Sequence, residues 1–539
     1  MNSIFIAYLV NGNGEKSHSD QERTIKESYY RYGKRLPAKL KGAFAFAFYD
    51  TESKQTFCAR DPLGIAPLYY TKTPEGYRFA SDIGELLSLP SVSKKPNLRS
   101  MQTMMQCFAV DYHETMYEGI YRLPSGHSMT IENGEKQIER YWFPEKIEID
   151  YGIDEKVAAQ RLEALFEQAV ERSTSSPEET AFELSGGLDS ASVVSLLALK
   201  KGSGQIDSYS MDFGLLACDE GAYVDAVLAE YPVNHQKIPV DSLDYRQKYS
   251  LESLYALSPH WPIGLTFAML LPMLEKMRED GKKVVVSGQG GDHLFTGTPY
   301  VLYDLFARGK LSAAFSEMRT HRRPGSAFKS YVLAPLLGQK NVHRFKTLLG
   351  RNERKNRFWE QCEMDGLPEE AGITNPAFKD AVDMVSSPYH STVMDGNIFH
   401  CAERHFGIEY RHPFFDKELV EFAVSLPPEM KYANRTIKRI LRKAMKGILP
   451  EKINQRRDKA EFSELLSQQM EAIDLNALLG EPHIVRLGLI SRADIEWCLE
   501  KYRNGNLRYV SRLWIIVNVE YWYRYHRFGR EEAKGEESL

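Results

Sequence analysis

Six consecutive residues, Ser185-Gly186-Gly187-Leu188-Asp189-Ser190, concentrate hydroxyls, glycines and a carboxylate within one turn of chain. Glycines let a backbone bend tightly and approach an anion, and hydroxyls donate to it. A carboxylate adds a hard oxygen for a magnesium ion bridging phosphates. The run AFEL before the six reads as a strand and ASVVSLLALK after them as a helix, which aims its free N–H groups at whatever the loop holds. The implied chemistry is phosphate binding. A bare Ser-Gly-Gly would be no more than a capped turn, but here six residues and both flanking elements agree. The chain has no GxxxxGK and no GxGxxG pattern, so neither a Walker nucleotidase nor a Rossmann dehydrogenase explains the loop.

A second candidate element, VVVSGQGGDHLF at residues 284–295, leaves another expected strand through Ser287 and Gly288 and reaches Asp292 a few residues later. Alone it is a weak loop motif. Paired with the first, it allows Asp189 and Asp292 to converge on one magnesium-pyrophosphate from two strand ends. A third element near the C-terminus, GIEYRHPFFDKELVEFAVSLPPEMK followed by RTIKRILRKAMKGILPEKINQRRDKAEFS, is rich in cations. Such runs are ordinarily solvated helix faces. A lysine reaching a leaving pyrophosphate, or charge developing on an acyl centre, is the alternative that adenylate chemistry calls for.

These loops need a scaffold. The first 150 residues carry short alternating runs, GAFAFAFYD, QTFCARD, APLYYTK, GYRFAS and HSMTIENGEKQIERYWF, with ENGE as a hairpin turn, and predict a mainly β domain. From Asp154 the period becomes helical, with Val157, Leu162, Leu165, Phe166 and Val170 expected on one face. Strand and helix then alternate: strands at 180–184, 206–212 and 282–286, helices at 191–200, 220–230 and 266–278. That alternation predicts a parallel sheet whose ligands sit at the carboxyl ends of its strands. After about Pro299 strand signals fade and the rest reads as helices, ending in the acidic tail EEAKGEESL, expected to be disordered. The domains expected are therefore 1–150, 151–530 and the tail 531–539.

Composition adds exclusions. A formal net charge of -4 over 539 residues supplies no global reason to bind nucleic acid. Between Arg319 and Arg357 eleven Lys or Arg face the single acid Glu353, which reads first as a solvated basic surface and second as an attractor of acidic peptide or phosphate. Six cysteines without metal-ligand spacing read as reduced, mostly buried thiols. The N-terminus reads as a strand rather than a signal peptide, and no apolar run approaches a membrane span, so cytoplasmic residence is expected.

The SGGxDS form resembles the PP-loop of ATP pyrophosphatases, and the three elements in this order resemble the asparagine synthetase superfamily over nearly the whole chain. LKGAFAFAFYDTESKQTFCARDPLGIAPLYY and FASDIGELL look like the second half of that family's glutaminase domain. The resemblance implies an α/β plus α+β fold: a degenerate class II glutamine amidotransferase domain of Ntn type, then a HUP-like ATP pyrophosphatase domain with a helical C-terminal part. It implies ATP and Mg2+ as cofactors. Carried over residue by residue, Leu184, Ser210, Met211, Ser287 and Gly288 match the adenosine site. Ser185, Gly186, Gly187, Asp189 and Ser190 match the pyrophosphate loop, Asp189 and Asp292 the metal ligands, and Lys459 the catalytic lysine.

Departures from the family narrow the expectation. Asn2 stands where glutamine-dependent members carry a nucleophilic cysteine, and an amide cannot form a thioester. The segment between Tyr8 and Arg35 is too short for the glutamine-binding residues, so an amine already in the substrate is expected. Gln289 replaces the glutamate of asparagine synthetases and the tyrosine of β-lactam synthetases. The SGQGGDHLF, RHPFFD and QRRDKAEFS segments look most like lasso-peptide cyclases, which implies a precursor peptide as substrate and a leader peptidase and leader-binding protein as partners. Since Gln289 is no useful base, Glu403 and Glu409 are the candidate carboxylates, with a structural ion pair as the competing role for each. The alternatives are ammonia-dependent asparagine formation or β-lactam closure, a non-catalytic nucleotide-binding scaffold and, last, a tRNA-modifying enzyme.

Overall fold

The protein is described by a computed structural model that covers residues 4–9, 18–240, 248–264, 267–337, 358, 374–387, 390, 392–394 and 398–526. The acidic tail 531–539, Asn2 and residues 338–357 of the basic stretch lie outside these described residues.

Eight strands build the first unit: β1 (Ile4–Leu9), β2 (Phe44–Asp50), β3 (Gln55–Arg60), β4 (Tyr69–Thr73), β5 (Gly76–Ala80), β6 (Tyr121–Arg122), β7 (His127–Glu132) and β8 (Glu135–Arg140). They form two sheets, ordered β1-β2-β3-β7-β8 and β5-β4-β6, with antiparallel pairing throughout. The alternation in β2 sorts its side chains by size, as a period of two requires. Phe44, Phe46 and Phe48 join Ile25, Leu36 and Phe57 in one apolar cluster, while Ala45 and Ala47 join Cys58, Leu68 and Met129 in another. The expected hairpin closes β7 on β8 with Asn133 and Gly134 both at positive φ, a two-residue turn matched to strand twist. Two helices, His18–Tyr32 and Leu98–Cys107, interrupt the mainly β expectation.

The second unit opens with the helix Glu155–Ser173, capped by Asp154, whose carboxylate accepts from Lys156 N and Val157 N. Ala158, Ala159, Leu162, Phe166, Ala169 and Val170 are its buried residues. Val157, expected on that face, is 53% exposed, because five residues from Leu162 it points about 140° around the helix from that buried side chain. Behind the helix lies a parallel sheet ordered β11-β10-β9-β12-β13, from β9 (Thr180–Glu183), β10 (Asp207–Asp212), β11 (Asn234–Pro239), β12 (Val284–Val286) and β13 (Glu409–Arg411). β13 corrects the expectation that strands end near Pro299. It is three residues long and two of them are charged, so no apolar pattern marks it; its partner β12 holds it through the pairs Val284↔Glu409 and Val286↔Arg411. Chain order reverses between β9 and β12, the position where open parallel sheets leave a crevice at their carboxyl ends.

Cys58, Cys218, Cys401 and Cys498 form no disulfide and are buried, as expected. Cys107 is disulfide-bonded, against the expectation that every thiol is reduced. Among the described residues no helix is long and apolar enough to cross a membrane.

Candidate active site

The crevice between β9 and β12 receives both glycine-rich loops. After β9, Ser185 and Ser190 bond each other through their hydroxyls at 3.0 Å, and Ser185 N donates to Ser190 Oγ at 3.1 Å, so the loop closes on itself before the helix Leu188–Lys201 begins. After β12, the second loop packs directly on the first. A Cβ on Gly288 would lie 2.6 Å from Ser190 N, and one on Gly291 would lie 2.3 Å from the Asp189 carboxyl carbon. These two glycines are therefore required by the close approach of backbone to backbone and backbone to carboxylate.

That approach brings Asp189 and Asp292 together around lysines. Lys438 Nζ lies 2.5 Å from Asp189 Oδ2 and 2.7 Å from Asp292 Oδ1, and Lys459 Nζ lies 2.5 Å from Asp292 Oδ2. Burial pushes the Asp189 carboxyl above the usual carboxylate range, with Lys438 pulling against it. Burial acts on Asp292 in the same sense, but two lysines overcome it and hold that carboxyl well below the usual range. Asp189 Oδ1 is buried with no hydrogen-bond partner. Two carboxylates converging on a cation, one with an orphaned oxygen, form a donor set that fits a hard divalent ion.

The remaining expected residues fall on three adjacent strand ends. Leu184 is fully buried after β9 and its N–H donates to Tyr209 O on β10. Ser210 and Met211 lie on β10, where the Ser210 hydroxyl bonds His235 Nε2 at 3.0 Å. The Ser287 hydroxyl bonds His412 Nδ1 at 2.8 Å and accepts from Gln289 N at 3.2 Å. Both hydroxyls are thus engaged within the protein and set backbone position.

The two candidate carboxylates part company. Glu409, on β13, is held by Arg411 through two bonds of 2.6 and 3.1 Å, the structural ion pair that competed with its expected role as base. Glu403 instead lines a cavity of about 200 Å³ between the two units, together with Ala66 and Asp82 from the first and His412 and Tyr410 from the second. Desolvation in that cavity, reinforced by Glu409, pushes its carboxyl up to about 7. His412 links this cavity to Ser287, and burial drives its imidazole down to about 3, so it stays neutral there.

Residues 161–524 match the asparagine synthase family and residues 5–142 match the glutamine amidotransferase domain. The chain belongs to the asparagine synthase family. It is 26% identical over 454 residues to asparagine synthetase [glutamine-hydrolyzing] 3 of Bacillus subtilis, covering 81% of this chain and 69% of that protein. It is 25% identical over 553 residues to a putative asparagine synthetase [glutamine-hydrolyzing] of Mycobacterium tuberculosis, covering 96% and 80%. Amidase chry2 of Gibberella zeae is 24% identical over 483 residues, covering 79% and 70%. As a member of the asparagine synthase family the chain is an ATP-dependent carbon–nitrogen ligase, with an amidotransferase-like first domain and a PP-loop, HUP-like second domain.

Three side chains that the sequence reading passed over stand against the two loops. Lys438 bridges both carboxylates from a left-handed backbone, φ 56°, which costs a non-glycine residue about 1–3 kcal/mol and persists where surrounding structure enforces it. Arg456 donates to Gly186 O at 3.2 Å, pairs with Glu220 and stacks over Tyr223, so the QRRDK segment clamps the first loop as well as delivering Lys459. His412 fixes Ser287. In RTIKRILRK, cations stand at 435, 438, 439, 442 and 443, and nothing in that spacing singles out 438.

In the first domain, Arg60 is fully buried and donates to Gly64 O, Ala66 O and Leu123 O, while Asp61 accepts from Leu63 N, Ile65 N and Ala66 N. The RDPLG turn is therefore closed upon itself.

Proposed function

We propose that this ligase adenylylates an Asp or Glu side chain of a precursor peptide and joins it to the peptide's own N-terminal amine, forming a macrolactam and releasing AMP and pyrophosphate. The observation that carries the reading is the convergence of Asp189, Asp292, Lys438 and Lys459 where the β9 and β12 loops meet. In this reading Ser185, Gly186, Gly187 and Ser190 cradle the phosphates, and Leu184, Ser210, Met211, Ser287 and Gly288 form the adenosine side. Asp189 and Asp292 hold Mg2+, which when bound neutralises the triphosphate charge. Lys459, 73% exposed and anchored only at its tip, swings onto the transferring phosphate. Glu403 takes the proton of the attacking amine: its carboxyl near 7 suits a base at neutral pH, and its cavity adjoins the nucleotide loop through His412. Residues 1–150 act as a scaffold walling that cavity, and residues 151–530 form the ATP-binding unit.

The leader peptidase and leader-binding protein belong to the same reading, because the N-terminal amine must be freed before ring closure. Incubating the full chain with ATP, Mg2+ and a leaderless precursor peptide should yield AMP, pyrophosphate and a peptide lighter by one water. ADP in place of AMP would overturn the adenylate. The printed names of the relatives favour a second reading, the same chemistry on free aspartate. Pyrophosphate exchange stimulated by aspartate and ammonia, with no response to peptide, would select it. Pyrophosphate exchange with neither would leave a non-catalytic scaffold.

A further inference from the structure

Asp292 lines a second cavity, of about 340 Å³, away from its contacts with Lys438 and Lys459. Leu294, Phe378, Ala381, Val424 and Leu426 make its walls largely apolar, and Lys431 closes the short helix Pro428–Lys431 against it. Lys431 is 5% exposed, and among the described residues it has no hydrogen bond and no ion pair. The other buried lysines differ: Lys282 donates to Glu178 O and pairs with Asp207, and Lys438 bridges two carboxylates. With nothing to offset it, burial drives the Lys431 amine down to about 7. His293, on another wall of the same cavity, keeps a buried Nδ1 without a partner.

The other charged groups around the cavity are accounted for. Asp292 is neutralised by its lysines, Asp383 pairs with Lys379 at 2.9 Å, and burial pushes the Asp380 carboxyl upward. An uncompensated amine in an apolar space is costly unless a ligand completes it. A carboxylic acid does so with balanced charge: its proton passes to the amine, and the resulting ion pair adds no net charge to the cavity. An amine ligand would add a second positive charge, and a neutral amide would leave Lys431 unmatched. The volume lies near the small end of ligand pockets, about 300–1,000 Å³, which limits the guest to one residue-sized body.

We propose that this cavity is a binding site for a carboxylic acid with a single apolar body, its carboxylate seated on Lys431 with His293 beside it. The acid is either a free small molecule or the C-terminal residue of a peptide. The inference stands apart from the reading of the ligase substrate, since binding is measured without turnover.

The test is calorimetric titration of the full chain at neutral pH with 3-phenylpropionate, N-acetyl-alanyl-phenylalanine and 3-phenylpropanamide. At least one acid should saturate the protein and bind tenfold or more tightly than the amide. The tighter of the two acids identifies a free molecule or a chain end. Lys431→Met should erase the preference for acid over amide. Should that variant fail to fold, Ala381→Phe fills the cavity with Lys431 in place and should abolish binding of both acids. Absence of acid binding to the unaltered chain overturns the site, as does a preference that survives Lys431→Met or binding that survives Ala381→Phe.

Discussion

Lys438 and Lys431 stand seven residues apart on one segment and are equally hidden, at 6% and 5% exposure, yet the surroundings treat them in opposite ways. Burial alone would discharge either amine. At Lys438 two carboxylates more than reverse that effect and hold the ammonium charged, whereas at Lys431 nothing opposes it and the amine falls to about 7. The difference teaches that a buried cation in this chain is defined by what the loops bring to it. In the cleft, two glycine-rich turns deliver acids to the lysine; in the cavity, apolar side chains leave the lysine unmatched.

The comparison breaks most visibly at Lys438. Lys438→Met leaves two carboxylates facing each other without their shared cation, and breaking a buried pair from one side costs about 3–5 kcal/mol. Chemical denaturation should register that loss, and AMP formation should be abolished. Unchanged stability would mean that the two carboxylates are not held together by this amine.

Glu403 sharpens the contrast from the carboxylate side, since desolvation in its cavity and the neighbouring Glu409 push its carboxyl up to about 7. As a base it acts in its ionised form, so kcat should rise as pH climbs through about 7 and level off above. Glu403→Gln should lower kcat by about 10²–10⁴ and remove that rise. A limb that persists in the variant would assign the titration to another group. Lys459→Met comes next. A contact to developing transition-state charge is worth about 10²–10³ in kcat. Because Lys459 is 73% exposed, its ion pair should contribute about 1 kcal/mol or less to folding. Loss of stability rather than rate would demote Lys459 to a structural cation.

The parts of this picture legible in the sequence are those encoded locally. The six-residue loop between AFEL and ASVVSLLALK announces its own strand, turn and helix, and the size alternation of Phe44 to Phe48 declares two faces of one strand. The parts that escaped depend on distant neighbours. β13 is a strand because β12 lies beside it, and Glu409 differs from Glu403 because Arg411 reaches one and a cavity surrounds the other. Lys438 acquires its role when the approach permitted by Gly288 and Gly291 brings two acids to it, and five cations in nine residues carry no mark of which one that will be. Val157 failed for a smaller reason: an apolar residue at a helix start need not belong to the buried stripe.

The smallest expected effect has the opposite sign from the largest. Lys431→Met keeps the length of the side chain and removes an amine that the fold leaves unmatched, so it should stabilise the protein by about 1–3 kcal/mol, the usual cost of a buried polar group without a partner. The pH dependence identifies the cause. Between about 7 and its ordinary value of 10.5, the unfolded chain holds a proton on this amine that the folded chain has released. Where the unfolded state binds more protons, stability rises with pH, so the penalty carried by Lys431 shrinks across that window. The gain from methionine should therefore be greatest at about pH 6 and nearly absent at about pH 10, as measured by denaturant midpoints of both proteins across the range. A gain independent of pH would trace to better packing by the thioether and would remove the charge argument from the cavity, while a loss would show that Lys431 already has a partner in the folded chain.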